Sequence, residues 1–384
     1  MAKFQIISTF SRESYAAYEA LWHEFACRAS QAGHTVEISL TSKAEKSNRT
    51  SLLRTAGCQL KFRKAWPNGR LGYVSQKLWD RSLAGGMLRA TLNSDADLCL
   101  LNVGTLIEVT VEPFFSYLMG LNCQFSLIVH NNPEIRQYSS QTLVRLREVL
   151  FKATRVYFVS HRLWENCEEQ LLQKVHGAEI VRNPVNLEDS GAEPWPEGDR
   201  LRLAIVGRWD TWVKGQIRAI HALSSFKWKQ RNWSLSLFGA GSDTEQIQQA
   251  IKFYGVQDRI ELAGFVDNIR EDIWRSHHVL LMPSMLEGMP LTLVEAMLCG
   301  RPAVVSDVGG ARELVNNGTN GFLADSPFFT QLEEALEKMW QSRARLSEIG
   351  ARASEDAKEY VPSDAGEQFL KQVMVSLYEK PDNR

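Results

Sequence analysis

The sequence predicts an α/β protein built as two doubly wound parallel sheets facing a cleft. Three observations carry that prediction. A chain of 384 residues is longer than one hydrophobic core comfortably serves. Two successive series of short apolar runs alternate with helix-length amphipathic segments. Between the series, residues 186–200, NLEDSGAEPWPEGDR, hold two Pro, two Gly and five acidic residues. They lack periodicity, as a linker does.

In the first series, Phe4–Ser8 is an apolar run. Glu13–Ala32 is a helical stretch ended by Gly33. Thr35–Leu40, Leu98–Val103 and Phe125–Val129 are further strands, the last running into His130. Val144–Ala153 is helical, and Val156–Val159 is a strand closed by Ser160. Ligands of such sheets sit beyond the carboxyl ends of the strands, where His130 and Ser160 fall. The second series has strand candidates at Leu203–Val206, Leu235–Phe238, Ile260–Leu262, Val279–Met282 and Ala303–Val305. A last helix, Gly366–Tyr378, follows Pro362. The expected division is residues 1–185, a linker at 186–200, residues 201–361 and a terminal segment 362–384.

Composition excludes several classes. At 44% hydrophobic and 23% charged residues the chain is globular, not disordered. Its six cysteines have no CxxC pair, so they read as free thiols of a reducing cytosol, not as a disulfide or zinc framework. MAKFQIISTF enters a strand directly, without a signal peptide, and no apolar run reaches membrane-spanning length. The expectation is a cytoplasmic protein whose membrane contact, if any, is peripheral. Net charge is −1, but residues 1–185 carry 22 basic against 16 acidic residues. Eleven basic residues lie between Lys43 and Arg89, against Glu45 and Asp80. Such a stretch attracts phosphates, anionic glycans or a membrane surface; a solvated basic face is the plain alternative. No nucleic-acid-binding motif accompanies it.

The densest signal is Pro283–Asp325, PSMLEGMPLTLVEAMLCGRPAVVSDVGGARELVNNGTNGFLAD. Gly288-Met289-Pro290 opens a helix of roughly Pro290–Cys299, and Gly300-Arg301-Pro302 stops it before the strand Ala303–Val305. The helix N-terminus offers unpaired N–H groups and a positive dipole end to an anion. Glu287 lies in the loop before this helix and Glu295 in its second turn. Upstream, Val206-Gly207-Arg208 ends a strand and Lys214-Gly215 follows. The glycine admits close backbone approach, and the two cations can neutralise a phosphate.

These residues resemble the signature of the retaining, nucleotide-sugar-dependent glycosyltransferases of family 4 (glycosyl transferases group 1). The resemblance covers residues 200–325 well, 125–185 less, and the preceding part weakly. It implies the GT-B fold: two Rossmann-like domains, the first for the acceptor and the second for the donor, with the last helix crossing back to the first. It also implies roles. Arg208 and Lys214 would hold the donor diphosphate, with Gly207 and the Gly288-Met289-Pro290-Leu291 turn. Glu295 would bind the ribose, and Phe265 and Val266 would face the base. Glu287 and His130 would contact the donor sugar. Gly309-Gly310 and Gly321-Phe322-Leu323 read as fold-shaping, and Arg182-Asn183-Pro184-Val185 as a hinge. The implied partners are a nucleotide sugar, UDP favoured over GDP, and a glycan or lipid-linked acceptor, with no cofactor and no metal.

The sequence also departs from the family. Its usual glycine-rich loop after the first strand here reads Thr9-Phe10-Ser11-Arg12-Glu13-Ser14, which leaves the acceptor side unassigned. Asp95-Ala96-Asp97 mimics a metal-binding motif of another glycosyltransferase fold, but it precedes an apolar strand, where a solvated turn is common. Two other readings stay open: a nucleotide-sugar 2-epimerase, and a non-catalytic subunit that keeps the fold.

Overall fold

The computed structural model describes residues 1–9, 17–45, 47–63, 95–112, 114–134, 137–187 and 191–378. The chain forms two compact units, Met1–Pro184 with Pro362–Arg384, and Val185–Val361. Each is a parallel sheet with crossover helices.

The first unit's strands are β1 (Lys3–Ser8), β2 (Thr35–Thr41), β3 (Gln59–Arg63), β4 (Leu98–Thr105), β5 (Gln124–Asn131), β6 (Arg155–Phe158) and β7 (Ala178–Ile180). Their order is β3-β2-β1-β4-β5-β6-β7, so the winding reverses between β1 and β4. Central strands are buried on both faces; Leu98–Val103 is fully enclosed, as an apolar run in a parallel sheet should be. The apolar runs of the sequence do not mark β3 and β7. Both are edge strands; β3 alternates exposed and half-buried residues, and β7 has only three residues. Neither makes a continuous apolar run. The helix expected from Glu13 starts at Ala20, after a 3-10 turn at Ala17–Glu19. Residues 13–16 lie outside the described residues.

The terminal helix Ala365–Tyr378 belongs to this first unit and packs on the helix Ala20–Gln31. Phe369 meets Phe25 at 5.3 Å and Tyr157 at 4.9 Å between ring centroids. Asp95 and Asp97 sit at the amino edge of the sheet. There the Lys3 ammonium pairs with Asp95, and the Lys3 amide donates to Asp97 Oδ2 at 2.7 Å.

The second unit has β8 (Leu201–Val206), β9 (Trp233–Phe238), β10 (Ile260–Gly264), β11 (Val279–Met282), β12 (Ala303–Ser306) and β13 (Phe322–Ala324), in the order β10-β9-β8-β11-β12-β13. Winding reverses between β8 and β11. The core is built on Leu203, Leu235, Leu281 and Val304 with Trp228 and Trp233. The Trp233 indole donates to the Trp228 carbonyl at 2.8 Å, which satisfies a buried polar atom. Gly191–Arg200 is anchored here: Glu193 takes Arg270 at 2.7 Å and Arg275 at 3.2 Å. The buried Arg301 donates to the carbonyls of Glu193, Pro194 and Trp274. No helix among the described residues is long and apolar enough to cross a membrane.

Candidate functional site

The topological switch point of the second unit gathers the predicted charged residues. Two loops leave the carboxyl ends of the adjacent parallel strands β8 and β11, which is where an open α/β sheet holds its ligands. The first loop, Gly207–Gly215, carries Arg208 and Lys214. The second, Pro283–Pro290, carries Glu287. Backbone contacts stitch them together: the Met285 amide donates to the Val213 carbonyl at 2.8 Å. Lys214 Nζ then reaches Glu287 Oε1 at 2.6 Å. Glu287 is buried at 9% exposure and Lys214 half-buried. Arg208 donates to Asp210 Oδ2 at 2.9 Å, and Asp210 Oδ1 accepts from the Val213 amide at 3.0 Å. Both cations are therefore held by carboxylates of their own unit.

Glycines allow this closeness. Gly215 has φ +75°, and a Cβ there would lie 2.1 Å from the Pro283 carbonyl oxygen. Gly309, at φ +52°, lies against the Glu287 loop, where a Cβ would fall 2.2 Å from the Glu287 carbonyl oxygen. The neighbouring Gly310 amide donates to the Gly288 carbonyl at 2.6 Å. Gly309→Ala is thus expected to push the Glu287 loop aside. It should cost roughly 1–3 kcal/mol in stability and at least about tenfold in kcat/KM, since a small misplacement of a substrate-positioning group is expensive. Melting curves and kinetics check this; unchanged kinetics would mean that the loop does not position Glu287.

Beyond Glu287 the helix Leu291–Leu298 begins one residue later than expected. Pro290 is its extended N-cap, ψ 102°, and brings no side-chain cap. The Leu293 and Val294 amides fold back to the Pro290 carbonyl. Among the described residues nothing accepts from the amides of Leu291 and Thr292, which remain available to an anion. Gly288, Met289 and Pro290 are buried beneath them. Glu295 is half-buried, one turn into a helix whose other residues from Leu293 to Leu298 are buried. No cation or hydrogen-bond donor meets its carboxylate among the described residues. Desolvation alone pushes its pKa up to about 7.

Gly264 ends β10 and is followed by Phe265, 75% exposed, and half-buried Val266. Their strand lies on the far side of β9 from β8, at the same carboxyl edge of the sheet.

Several participants carry no sequence signal of their own. Arg218 donates to the carbonyls of Trp212 and Pro283 and so braces both loops. Gln216 donates to the Arg208 carbonyl at 2.9 Å. The hydroxyls of Ser284 and Ser306, at the carboxyl ends of β11 and β12, are buried with no hydrogen-bond partner among the described residues, as is the Trp209 indole N–H. Buried serines are common, and only their place at this edge singles them out.

In the first unit, His130 lies near the carboxyl end of β5 at 6% exposure. Strand register places Asn102 opposite Ile128, so Asn102 and His130 share one face of the sheet. His130 Nε2 donates to Asn102 Oδ1 at 2.7 Å, which leaves Nδ1 as a buried acceptor with no partner among the described residues. Burial drives the imidazole pKa down to about 3, so the ring is neutral across the physiological range. It can accept a hydrogen bond from a ligand hydroxyl but does not serve as a proton donor at neutral pH. Ser160 caps the next helix, its Oγ accepting from the Leu163 amide at 3.3 Å. Phe10–Ser14, Arg12 included, lie outside the described residues. So do residues 46 and 64–94 of the basic stretch Lys43–Arg89. Within the remainder, Lys61 pairs with Glu37 at 2.7 Å and Arg63 is buried, donating to the Ser39 carbonyl at 2.7 Å.

Residues 188–359 match the family model described as Glycosyl transferases group 1, a span that falls within the second unit. Over 149 residues, 38% of this chain, the sequence is 32% identical to the lipopolysaccharide 1,6-galactosyltransferase of Escherichia coli K12, of which it covers 41%. Over 173 residues, 43% of this chain, it is 28% identical to an exopolysaccharide phosphotransferase of Streptomyces coelicolor, of which it covers 18%. The chain thus spans less than half the length of these relatives. Among solved structures, Anabaena HepE in complex with UDP-glucose superposes with a TM-score of 0.74 at 18% identity, over 98% of this chain and 100% of that one. The TarM protein of Staphylococcus aureus, in complex with fondaparinux, α-GlcNAc-glycerol and UDP, gives 0.72 at 12% identity, over 99% and 100%. At such identities the likeness is one of fold, and that fold is GT-B, with two Rossmann-like parallel-sheet units.

Proposed function

We propose that this protein is a retaining glycosyltransferase of family 4 that needs no metal. It moves a hexose from a nucleoside diphosphate, UDP favoured, to a hydroxyl of a glycan or lipid-linked acceptor in polysaccharide or glycoconjugate synthesis. The observation that carries the reading is the Lys214–Glu287 pair at the switch point, beside the uncapped helix N-terminus and the unpaired Glu295 carboxylate. These are a cation for phosphate, amides for phosphate and an acceptor for ribose hydroxyls, all within one unit. The UDP-glucose bound to the Anabaena neighbour supports the choice of base.

In this mechanism Arg208, Lys214 and the free amides of Leu291 and Thr292 beyond the Gly288-Met289-Pro290 turn stabilise the leaving diphosphate as its bond to the anomeric carbon breaks, and Gly207 lets the backbone approach it closely. The acceptor oxygen bonds to that carbon from the same face, and its proton passes to the departing phosphate oxygen. Charge and atoms balance without a protein nucleophile, and the neutral His130 is suited to accepting from a sugar hydroxyl but not to shuttling protons. Glu295 holds the ribose, and Phe265 and Val266 the base. Asp95 and Asp97 take no part in this mechanism, since they engage Lys3 at the amino edge and ligands of such sheets sit at the carboxyl edge. The acceptor falls to the first unit.

Calorimetry against UDP, GDP and ADP and the glucose conjugate of each, without added metal, tests the reading. One glucose conjugate should bind in the micromolar range, about −8 kcal/mol. If none binds, the proposal gives way to a non-catalytic subunit that keeps the fold.

A further inference from the structure

Lys214 and Glu287 meet at 2.6 Å with Glu287 buried, so the cation assigned to the diphosphate is already taken. A diphosphate arriving at Lys214 does one of two things. It displaces Glu287, which strands a buried carboxylate without a partner, or it sits beside the pair and meets the negative charge of Glu287. Both are costly: an unpaired buried charge and two like charges at close range each oppose binding. Only a ligand that brings hydroxyl donors to the Glu287 oxygens removes the cost, and the sugar of a nucleotide sugar brings them. A nucleoside diphosphate that has lost its sugar keeps only its ribose hydroxyls, which fall to Glu295.

We propose that Glu287 makes the site select sugar-bearing nucleotides and reject the bare nucleoside diphosphate. This deepens the donor-site reading above and rests on it. Before binding, the Lys214–Glu287 contact keeps the site self-neutralised. When the donor binds, phosphate takes Lys214 while the sugar takes Glu287. After transfer the sugar is gone, the carboxylate regains Lys214, and the product diphosphate is expelled. Arg208 is held in the same manner by Asp210, but Asp210 also accepts the Val213 amide and shapes the loop. Glu287 has no hydrogen-bond role besides Lys214 among the described residues. Its removal therefore isolates the effect.

The test is calorimetry on wild type, Glu287→Gln, Lys214→Met and the double variant, with UDP, GDP and ADP and the glucose conjugate of each. Glutamine keeps the shape and removes the charge. The expected result is that Glu287→Gln binds the preferred nucleoside diphosphate about tenfold tighter or more. Its glucose conjugate should gain less or lose affinity, so that the wild-type preference for the conjugate collapses. Product inhibition should tighten in parallel while kcat falls, a combination that a merely structural role would not give. In the Lys214→Met background the Glu287→Gln gain should shrink, because the two residues compete through one contact. Binding of a nucleoside diphosphate with equal or weaker affinity in Glu287→Gln overturns the proposal and leaves the donor-site reading intact. Absence of binding to all four proteins overturns both.

Discussion

Alanine at Lys214 is expected to lower kcat/KM by about two to three orders of magnitude, the usual cost of removing one preorganised charge from a developing oxyanion. The loss should lie mainly in kcat, because the charge on the leaving diphosphate grows as its bond to the sugar breaks. The structure adds a consequence for stability. Lys214 is the partner of a buried carboxylate, so Lys214→Ala leaves Glu287 unpaired in a site with 9% exposure. That should cost about 1–3 kcal/mol, and the second substitution Glu287→Gln should recover most of it without recovering turnover. Kinetics on the nucleotide sugar that calorimetry identifies, with melting curves for the single and double variants, check both halves. Wild-type turnover in Lys214→Ala would remove this residue from the reaction.

Glutamine at Glu295 is expected to stabilise the protein and weaken nucleotide binding together. Burial raises the folded-state pKa to about 7 from an ordinary value of 4.5, so the charged form is disfavoured in the fold. The folded state then holds more protons than the unfolded state between those values, and stability falls as pH rises through that window. Glu295→Gln should match wild type near pH 4.5. Its advantage should grow to a plateau above pH 7, where it reaches on the order of 3 kcal/mol. Melting temperatures across pH 4.5–8 measure it. The carboxylate is meanwhile the acceptor proposed for two ribose hydroxyls, and charge-assisted hydrogen bonds are worth about 1.5–3 kcal/mol each. Nucleotide affinity of the variant should fall about 10- to 100-fold. In wild type, affinity should drop as pH falls through 7, because the bound form needs the ionised carboxylate. A variant that gained no stability at pH 8 and bound normally would make Glu295 an ordinary helical carboxylate. A gain in stability with a loss of binding is the behaviour of a group kept for its ligand.

Much of the site is legible in the amino-acid sequence because its parts are local. Gly207-Arg208 and Lys214-Gly215 follow one strand, and Glu287 with Glu295 flank a helix start whose Pro and Gly are punctuation that the backbone enforces. The central strands are legible because a parallel sheet covered on both faces needs continuous apolar runs. The edge strands β3 and β7 are not, because one side of each is free to be polar. Arg218, Gln216, Ser284 and Ser306 are not, because each is ordinary in type and matters only by what the fold brings against it.

By itself the sequence determined two doubly wound sheets and the identity of the charged residues at the carboxyl edge of the second, since periodicity and turn chemistry are properties of neighbouring residues. Tertiary structure alone decided how those charges meet. Lys214 and Glu287 stand 73 residues apart, and only the adjacency of β8 and β11 brings them to 2.6 Å. It also decided that Glu295 is desolvated and unpaired, and that Asn102 fixes the proton of His130, leaving one buried acceptor open. Burial and long-range pairing depend on which elements pack together, and that information lies in no local stretch of chain.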